Sequence, residues 1–343
     1  MRFALSVPAN LLLLGEYAVT EEGGLGIALA TSPRALVSLE DGVSLEIFGK
    51  MGPSSFAWRE DREAAPPLID ACLAEARRHL KTKLDAAGDG YRLGWPLGHE
   101  GARIHIDSSA FFAADGSKLG FGSSAAVAVG LCAALLRLGG LEGETLETAI
   151  FPVALAAHRR AQGGRGSGYD VAASRHGGLG LFEGGASPRW TPLPAPARRA
   201  LGRLSLSLRP GPGPVSSPAA VERYRQWASR EVEAQGAYLA ATAEAAHGFA
   251  AASEAESILG LLEAAAARGM ELGEAIAVPA RPASGEGPEG SRTLYGGATI
   301  GTIEKCLGAG DELVLVATMG GGIAETRAQG HRLCIENEGL RWE

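Results

Sequence analysis

KLGFGSSAAVAVGLCAALLRLGG, residues 118–140, is the stretch that decides the fold. Glycines and two serines open it, and small and apolar residues then continue at helical length. Ser123 or Ser124 is predicted to cap the helix, whose first backbone N–H groups and positive dipole end make an anion site. Gly120 and Gly122 let main chain approach a phosphate with no Cβ in the way. A serine hydroxyl there can reach a Mg²⁺ ion held by phosphates, and Lys118 places a cation beside them. Taken alone, the string also describes an ordinary capped helix whose alanines allow close packing. It is neither a Walker A loop, since no Gly-Lys-Ser/Thr follows, nor a dinucleotide fingerprint.

Working outward, Ile104 and Ile106 flank His105 in a short strand, so the stretch sits in a strand, loop, helix unit. Downstream, a helix is predicted over 144–162, kinked near Pro152, and it runs into GGRGSGYD (163–170), a glycine-rich turn that presents Asp170. Upstream, Phe3, Leu5 and Val7 alternate as a first strand before Pro8 and the apolar run Leu11 to Leu14, which reads as core. Residues 35–48 read as strands, and Leu68, Ile69, Cys72, Leu73, Ala76 and Leu80 trace one helical stripe. The prolines of TPLPAPARRA (191–200) mark the best boundary between two domains, 1–190 and 191–343.

Beyond that boundary, Leu204, Leu206 and Leu208 form a strand, and Ser217 with Pro218 begins a helix. Ser253 and Glu256 form a capping box ahead of an alanine-rich helix. RPASGEGPEGS (281–291) reads as a loop, and YGGATIGTIEKCLGAGDELVLVATMGGG (295–322) as a helix, a glycine turn and a strand.

The chain has 343 residues, 46% hydrophobic and 21% charged, which is the composition of a folded globular protein. Its net charge of −7 argues against nucleic acid or an anionic membrane as partner. Four scattered cysteines, with no CxxC pair, argue against zinc or a disulfide framework. No signal-like start and no apolar run of about 18 residues is present, so the expected location is the cytoplasm.

KLGFGSSAAVAVG resembles the second signature of the GHMP kinases, ATP-dependent small-molecule kinases. VPANLLLLGEYAVTEEGGLGIALA (7–30) resembles the family's N-terminal signature, and EKCLGAGDELVLV (304–316) its C-terminal glycine motif. The three fall in the family's order along nearly the whole chain. Within the family, GEYAV (15–19), AHRRAQGGRGSGYDVAASRHGG (157–178) and PGPGPVSSPAAV (210–221) are more similar to phosphomevalonate kinases than to sugar kinases.

The resemblance implies an α+β, two-lobed GHMP kinase fold, with a ribosomal protein S5 domain 2-like N-terminal lobe and a ferredoxin-like C-terminal lobe. It implies transfer of the ATP γ-phosphoryl group to phosphomevalonate, giving diphosphomevalonate in isoprenoid precursor synthesis. ATP and Mg²⁺ are the implied cofactors, a small molecule the implied partner, and a monomer or homodimer the implied state. By the same resemblance, Gly120, Gly122, Ser123, Ser124, Ala125 and Ala126 bind ATP, and Ser124 also ligates the metal. Asp170, Lys118 and Asn10 occupy catalytic positions. Glu16, Tyr17, Ser167, Gly168, Ser216, Ser217, Gly308 and Gly310 fall on the acceptor side. Arg165, Arg175 and Arg209 are further candidates for the acceptor's phosphate, since a guanidinium fork binds it bidentately.

Three departures from the family pattern stand out. Asn10 replaces the usual lysine and can hydrogen-bond Asp170 without supplying charge; the glycine run at 308–310 is short; and no acidic residue lies between Arg159 and Tyr169 to give a second metal ligand. Two alternatives therefore stay open: a mevalonate or other GHMP kinase, and a binding protein that kept the fold without turnover.

Overall fold

The computed structural model describes residues 2–60, 64–87, 101–164, 166–211, 217–282, 301–308, 310, 312–319 and 331–343. The chain divides into two units: Met1–Asn10 with Ala30–Gly178 and Glu336–Glu343, and Leu11–Leu29 with Leu179–Ile335. The predicted boundary stretch 191–200 lies inside the second of these.

In the first unit, β1 (Phe3–Leu14), β2 (Leu25–Gly42), β3 (Glu46–Met51), β4 (Ser54–Arg59), β5 (Gly101–Asp107) and β12 (Arg341–Trp342) build a sheet of order β12-β1-β2-β5-β3-β4. β1 and β2 each run on into the second unit. Pro8 is carried inside β1, so the predicted first strand and the Leu11 to Leu14 run are one element. β3 pairs parallel with β5, while β2 pairs antiparallel with it, Val37 opposite Ile106.

Helices α1 (Pro67–Ala87), α2 (Ser123–Leu138), α3 (Gly143–Ala161) and α4 (Tyr169–His176) pack together in this unit. α2 is buried from Ala125 to Leu136, as a helix apolar all round must be. Its Gly130 is the point of approach to the sheet: a Cβ there would lie 2.7 Å from a Val37 methyl. Arg34 of β2 fastens the chain's last segment, donating to the Ser6 carbonyl (3.0 Å), the Gly339 carbonyl (2.7 Å) and the Glu336 carboxylate (3.2 Å).

The second unit contains the start of β2 paired with β6 (Leu179–Glu183), and β6 with β7 (Arg189–Pro192). A separate sheet has the order β11-β8-β10-β9, from β8 (Leu204–Pro210), β9 (Thr302–Leu307), β10 (Leu313–Met319) and β11 (His331–Arg332). Numbered within the sheet that order is 4-1-3-2, the ferredoxin-like arrangement the resemblance implied. Helices α5 (Ala195–Leu201), α6 (Ser217–Ala228), α7 (Val232–Ala251) and α8 (Ala255–Ala275) complete it, with α8 against β9 and β10.

Several local expectations are corrected. Neither Ser123 nor Ser124 caps α2: the N-cap is Gly122 in the left-handed region, and no side chain caps it. The box of Ser253 and Glu256 does not form, because Glu254 occupies the N-cap of α8, again with no side-chain cap. Residues 302–307 are a strand rather than a helix, since pairing with β10 along all six of its residues outweighs the local glycine-stop pattern. The 281–291 loop lies almost wholly outside the described residues. No helix among them is long and apolar enough to cross a membrane.

Candidate active site

In the first unit the predicted residues gather at the mouths of α2 and α4. Gly122 has φ 69°, and a Cβ on it would lie 2.3 Å from the Asn10 amide. Glycine is required there twice, for backbone and for space. With no side-chain cap, the first N–H groups of α2, carried by Ser123, Ser124 and Ala125, are open to an anion, while Ala126 N–H is already bonded to the Gly122 carbonyl at 3.3 Å. Lys118 is exposed at the same loop and has no ion-pair partner among the described residues. Gly120 is also exposed.

Asn10 plays a different part from the one predicted. It is 2% exposed, and its Nδ2 donates to Ser174 Oγ (3.0 Å) and the Gly122 carbonyl (3.3 Å), while its backbone N–H donates to the Phe121 carbonyl (3.1 Å). Ser174 in turn donates to the Pro8 carbonyl at 2.8 Å. The amide thus clamps the glycine loop to β1 and α4, and the expected bond to Asp170 is replaced by these.

Asp170 stands in the first turn of α4, where its carboxylate accepts the Val171 N–H at 2.8 Å. Gly168 is the N-cap with φ 93°, and a Cβ there would lie 2.2 Å from the Leu155 side chain. The loop before it is braced by Arg159, whose guanidinium donates to the carbonyls of Gly166 and Ser167, both at 2.9 Å. Ser124 Oγ lies 3.1 Å from His158 Nε2, and His158 Nδ1 lies 3.6 Å from Asp170 Oδ2. Ser124 and Asp170 therefore flank one imidazole ring.

The Ser124 hydroxyl suits magnesium in the way that ion is commonly held, as one protein oxygen in a sphere otherwise filled by phosphate oxygens and water. No group of three or more acidic, His or Cys side chains able to hold a metal alone occurs among the described residues.

In the second unit, Glu16, Tyr17, Gly308 and Gly310 line one cavity with Tyr238, Lys305 and the small-residue face of α8. Lys305 is only 2% exposed; its ammonium pairs with the Glu16 carboxylate and donates to the Cys306 carbonyl at 3.0 Å. Tyr238 donates its hydroxyl to the Glu16 carbonyl. Tyr17 stacks on Tyr224 at 5.1 Å. Burial pushes the phenols of Tyr17 and Tyr238 upward, with the Glu16 charge adding to the effect, and burial carries Tyr224 up to about 12. The cavity measures about 20 Å³, room for roughly one water.

The remaining candidates fall elsewhere. Arg175 is committed to Glu147 (2.5 Å) and Arg209 to Glu304 (2.7 Å), so neither guanidinium is an idle phosphate fork. Arg165 and Ser216 lie outside the described residues, and Ser217 opens α6. His158 and Arg159 carry parts that the sequence does not assign them, and Lys305, placed just before the glycine turn as a candidate cation for phosphate, is committed to Glu16 instead. The spacing His158, Gln162, Asp170 was the available signal for the first of them.

Residues 74–178 match the family model described as the GHMP kinases N terminal domain. A phosphomevalonate kinase of Streptomyces sp. (strain CL190) is 31% identical over 180 residues, which span 50% of this chain and 46% of that relative, less than half its length. Among solved structures, a Lin0012 protein from Listeria innocua superposes with a TM-score of 0.73 at 18% identity, over 100% of this chain and 99% of that one. Streptococcus pneumoniae phosphomevalonate kinase, solved with phosphomevalonate and AMPPNP, gives a TM-score of 0.67 at 18% identity, over 92% of both chains. These two share the fold with this chain.

Proposed function

We propose, from the premise that this chain carries a GHMP kinase N-terminal domain on a GHMP kinase fold, that it transfers the γ-phosphoryl group of ATP to a small phosphorylated acceptor, with phosphomevalonate as the favoured one. The observation that carries this reading is the open mouth of α2: an uncapped helix start behind Gly122, an exposed Lys118, and Ser124 and Asp170 on either side of one ring. Such a mouth binds polyphosphate through backbone N–H groups and the helix dipole.

In this reading Gly120, Gly122, Ser123, Ser124, Ala125 and Ala126 receive the nucleotide phosphates, Ser124 offers its oxygen to Mg²⁺, and Lys118 neutralises developing charge. Bound Mg²⁺ would shield the phosphate oxygens. Asp170, with Ser167 and Gly168 in the braced loop before it, orients the acceptor. A phosphate acceptor is anionic at neutral pH, so positioning and neutralisation matter more than a strong base. A free alcohol acceptor, as in a mevalonate kinase, would instead need Asp170 to take a proton. Glu16, Tyr17, Gly308 and Gly310, carried to the acceptor side by resemblance, meet in a cavity with room for about one water; there they support the wall of a site rather than enclose an acceptor.

A second reading, nucleotide binding without turnover, draws on Asn10. Where the family resemblance calls for a cation, this chain has a neutral amide whose hydrogen bonds are structural. ATP turnover with magnesium, measured across phosphomevalonate, mevalonate and a panel of free and phosphorylated small alcohols, separates the readings. Saturable transfer to phosphomevalonate supports the first. Transfer only to a free alcohol shifts the acceptor, and nucleotide binding with no acceptor turned over leaves the second.

A further inference from the structure

His158 is more than a helix residue that happens to be buried. It is 1% exposed, so bulk water serves neither ring nitrogen. Nε2 faces two groups: Ser124 Oγ at 3.1 Å and the Gln162 amide nitrogen at 3.3 Å. An amide nitrogen only donates, so Nε2 is an acceptor here, and the serine hydroxyl is the second donor to it. A neutral imidazole that accepts at Nε2 carries its proton on Nδ1. That atom is buried and makes no hydrogen bond, and Asp170 Oδ2 lies 3.6 Å from it. A histidine held for packing alone would have no reason to aim an unsatisfied N–H at a carboxylate already fixed on the other side by the Val171 N–H.

We propose that His158 is a positioning residue that sets Ser124 and Asp170 against each other through one Nδ1-protonated ring. Accepting the serine O–H as a hydrogen bond at Nε2 turns the hydroxyl lone pairs outward, toward the mouth of α2 where a cation would need them. Donating from Nδ1 steadies the Asp170 carboxylate, the 3.6 Å separation shortening when the site is engaged, as contacts of this kind do in working complexes. Gln162, the C-cap of α3, holds the tautomer by donating to the same Nε2. The proposal rests on the reading of Ser124 and Asp170 as kinase residues, and it supplies a reason for a histidine where a second acidic metal ligand is missing.

The ring can be dissected because glutamine places an amide near the Nε2 position and asparagine near Nδ1. His158→Gln should keep the serine link: affinity for Mg·ATP stays within about threefold of wild type while kcat falls about tenfold, the effect of one hydrogen bond. His158→Asn should reverse the pattern, with Mg·ATP binding weakened about tenfold and kcat less affected. His158→Phe should lose both. Equal losses in Gln and Asn variants that stay folded would reduce His158 to a packing residue and overturn the proposal. A second arm reads the full chain without turnover: side-chain ¹⁵N resonances should show Nδ1 protonated and Nε2 bare, with Ser124→Ala moving the Nε2 signal and Asp170→Asn the Nδ1 signal. The opposite tautomer would overturn the proposal even in an active kinase. The expected tautomer in a chain that turns over no acceptor would instead count against the kinase reading and leave the arrangement standing.

Discussion

The mouth of α2 in the first unit and the Glu16–Lys305 cavity in the second are both polar, and they are built to opposite rules. At the mouth, valence is left over: helix N–H groups without a cap, an exposed lysine without a partner among the described residues, a buried ring N–H short of its acceptor. In the cavity everything is used, with the ammonium on a carboxylate and a carbonyl, the tyrosine hydroxyl on a carbonyl, and space for about one water. Unsatisfied groups held in place mark a site awaiting a ligand, while satisfied ones mark a polar core.

The largest effect that can break this contrast is expected in the cavity. Lys305→Met removes one partner of a buried pair and leaves the Glu16 charge without compensation, which should cost about 3–5 kcal/mol in urea unfolding. Adding Glu16→Gln should restore a good part of that loss. If the single variant is as stable as wild type, the cavity is not the closed polar core described above. Lys118→Met, by comparison, should leave the unfolding midpoint within about 0.5 kcal/mol and act on turnover.

Next comes Asp170→Asn. Turnover should fall on the order of 100-fold or more with the unfolding curve unmoved, because the amide still accepts from the Val171 N–H. Wild-type turnover in this variant would remove Asp170 from the site.

A smaller effect sharpens the contrast through pH. Tyr224 is wholly buried, with its phenol carried from an ordinary value near 10 to about 12. Above pH 10 the unfolded chain gives up this proton before the folded one does. The stabilisation is therefore complete below pH 10 and is lost as pH rises through 12, a change of roughly 3 kcal/mol. Subtracting the pH profile of Tyr224→Phe from that of wild type should isolate this slope, and a flat difference would mean the phenol is not buried as described.

Much of the mouth was legible in sequence because its parts are local. Glycine at 120 and 122, the helix after them and the turn that presents Asp170 all lie within short windows where spacing and backbone chemistry agree. What was hidden depends on partners far along the chain. Ser124 meets His158 across 34 residues, Arg175 meets Glu147 across 28, and Arg209 meets Glu304 across 95. An arginine near a motif looks like a phosphate fork until its carboxylate is known. Lys305 failed for another reason: Lys-Cys-Leu-Gly is good local chemistry for a helix end, and only the ladder to β10 makes it strand. The caps failed because Gly122 in the left-handed region takes the position a serine was expected to hold.

Asn10 is where the two rules meet, since it sits at the mouth and is built like the cavity. Its amide hydrogen bonds join β1, the glycine loop and α4 from a fully buried position. Asn10→Ala should therefore cost about 1–3 kcal/mol by removing both amide hydrogen bonds, to Ser174 and to the Gly122 carbonyl, with weaker nucleotide binding following from a loosened loop. Asn10→Lys separates structure from charge. A lysine brings the cation that the resemblance to GHMP kinases calls for but must bury its ammonium where the amide now bonds only neutral acceptors, so stability should fall at least as far as in the alanine variant. If turnover per folded molecule nevertheless rises, the missing charge limits the wild-type rate and Asn10 is a structural compromise inside a working kinase. If turnover stays where it was or falls, the amide is integral to this version of the site, and the clamp it forms is what positions the loop.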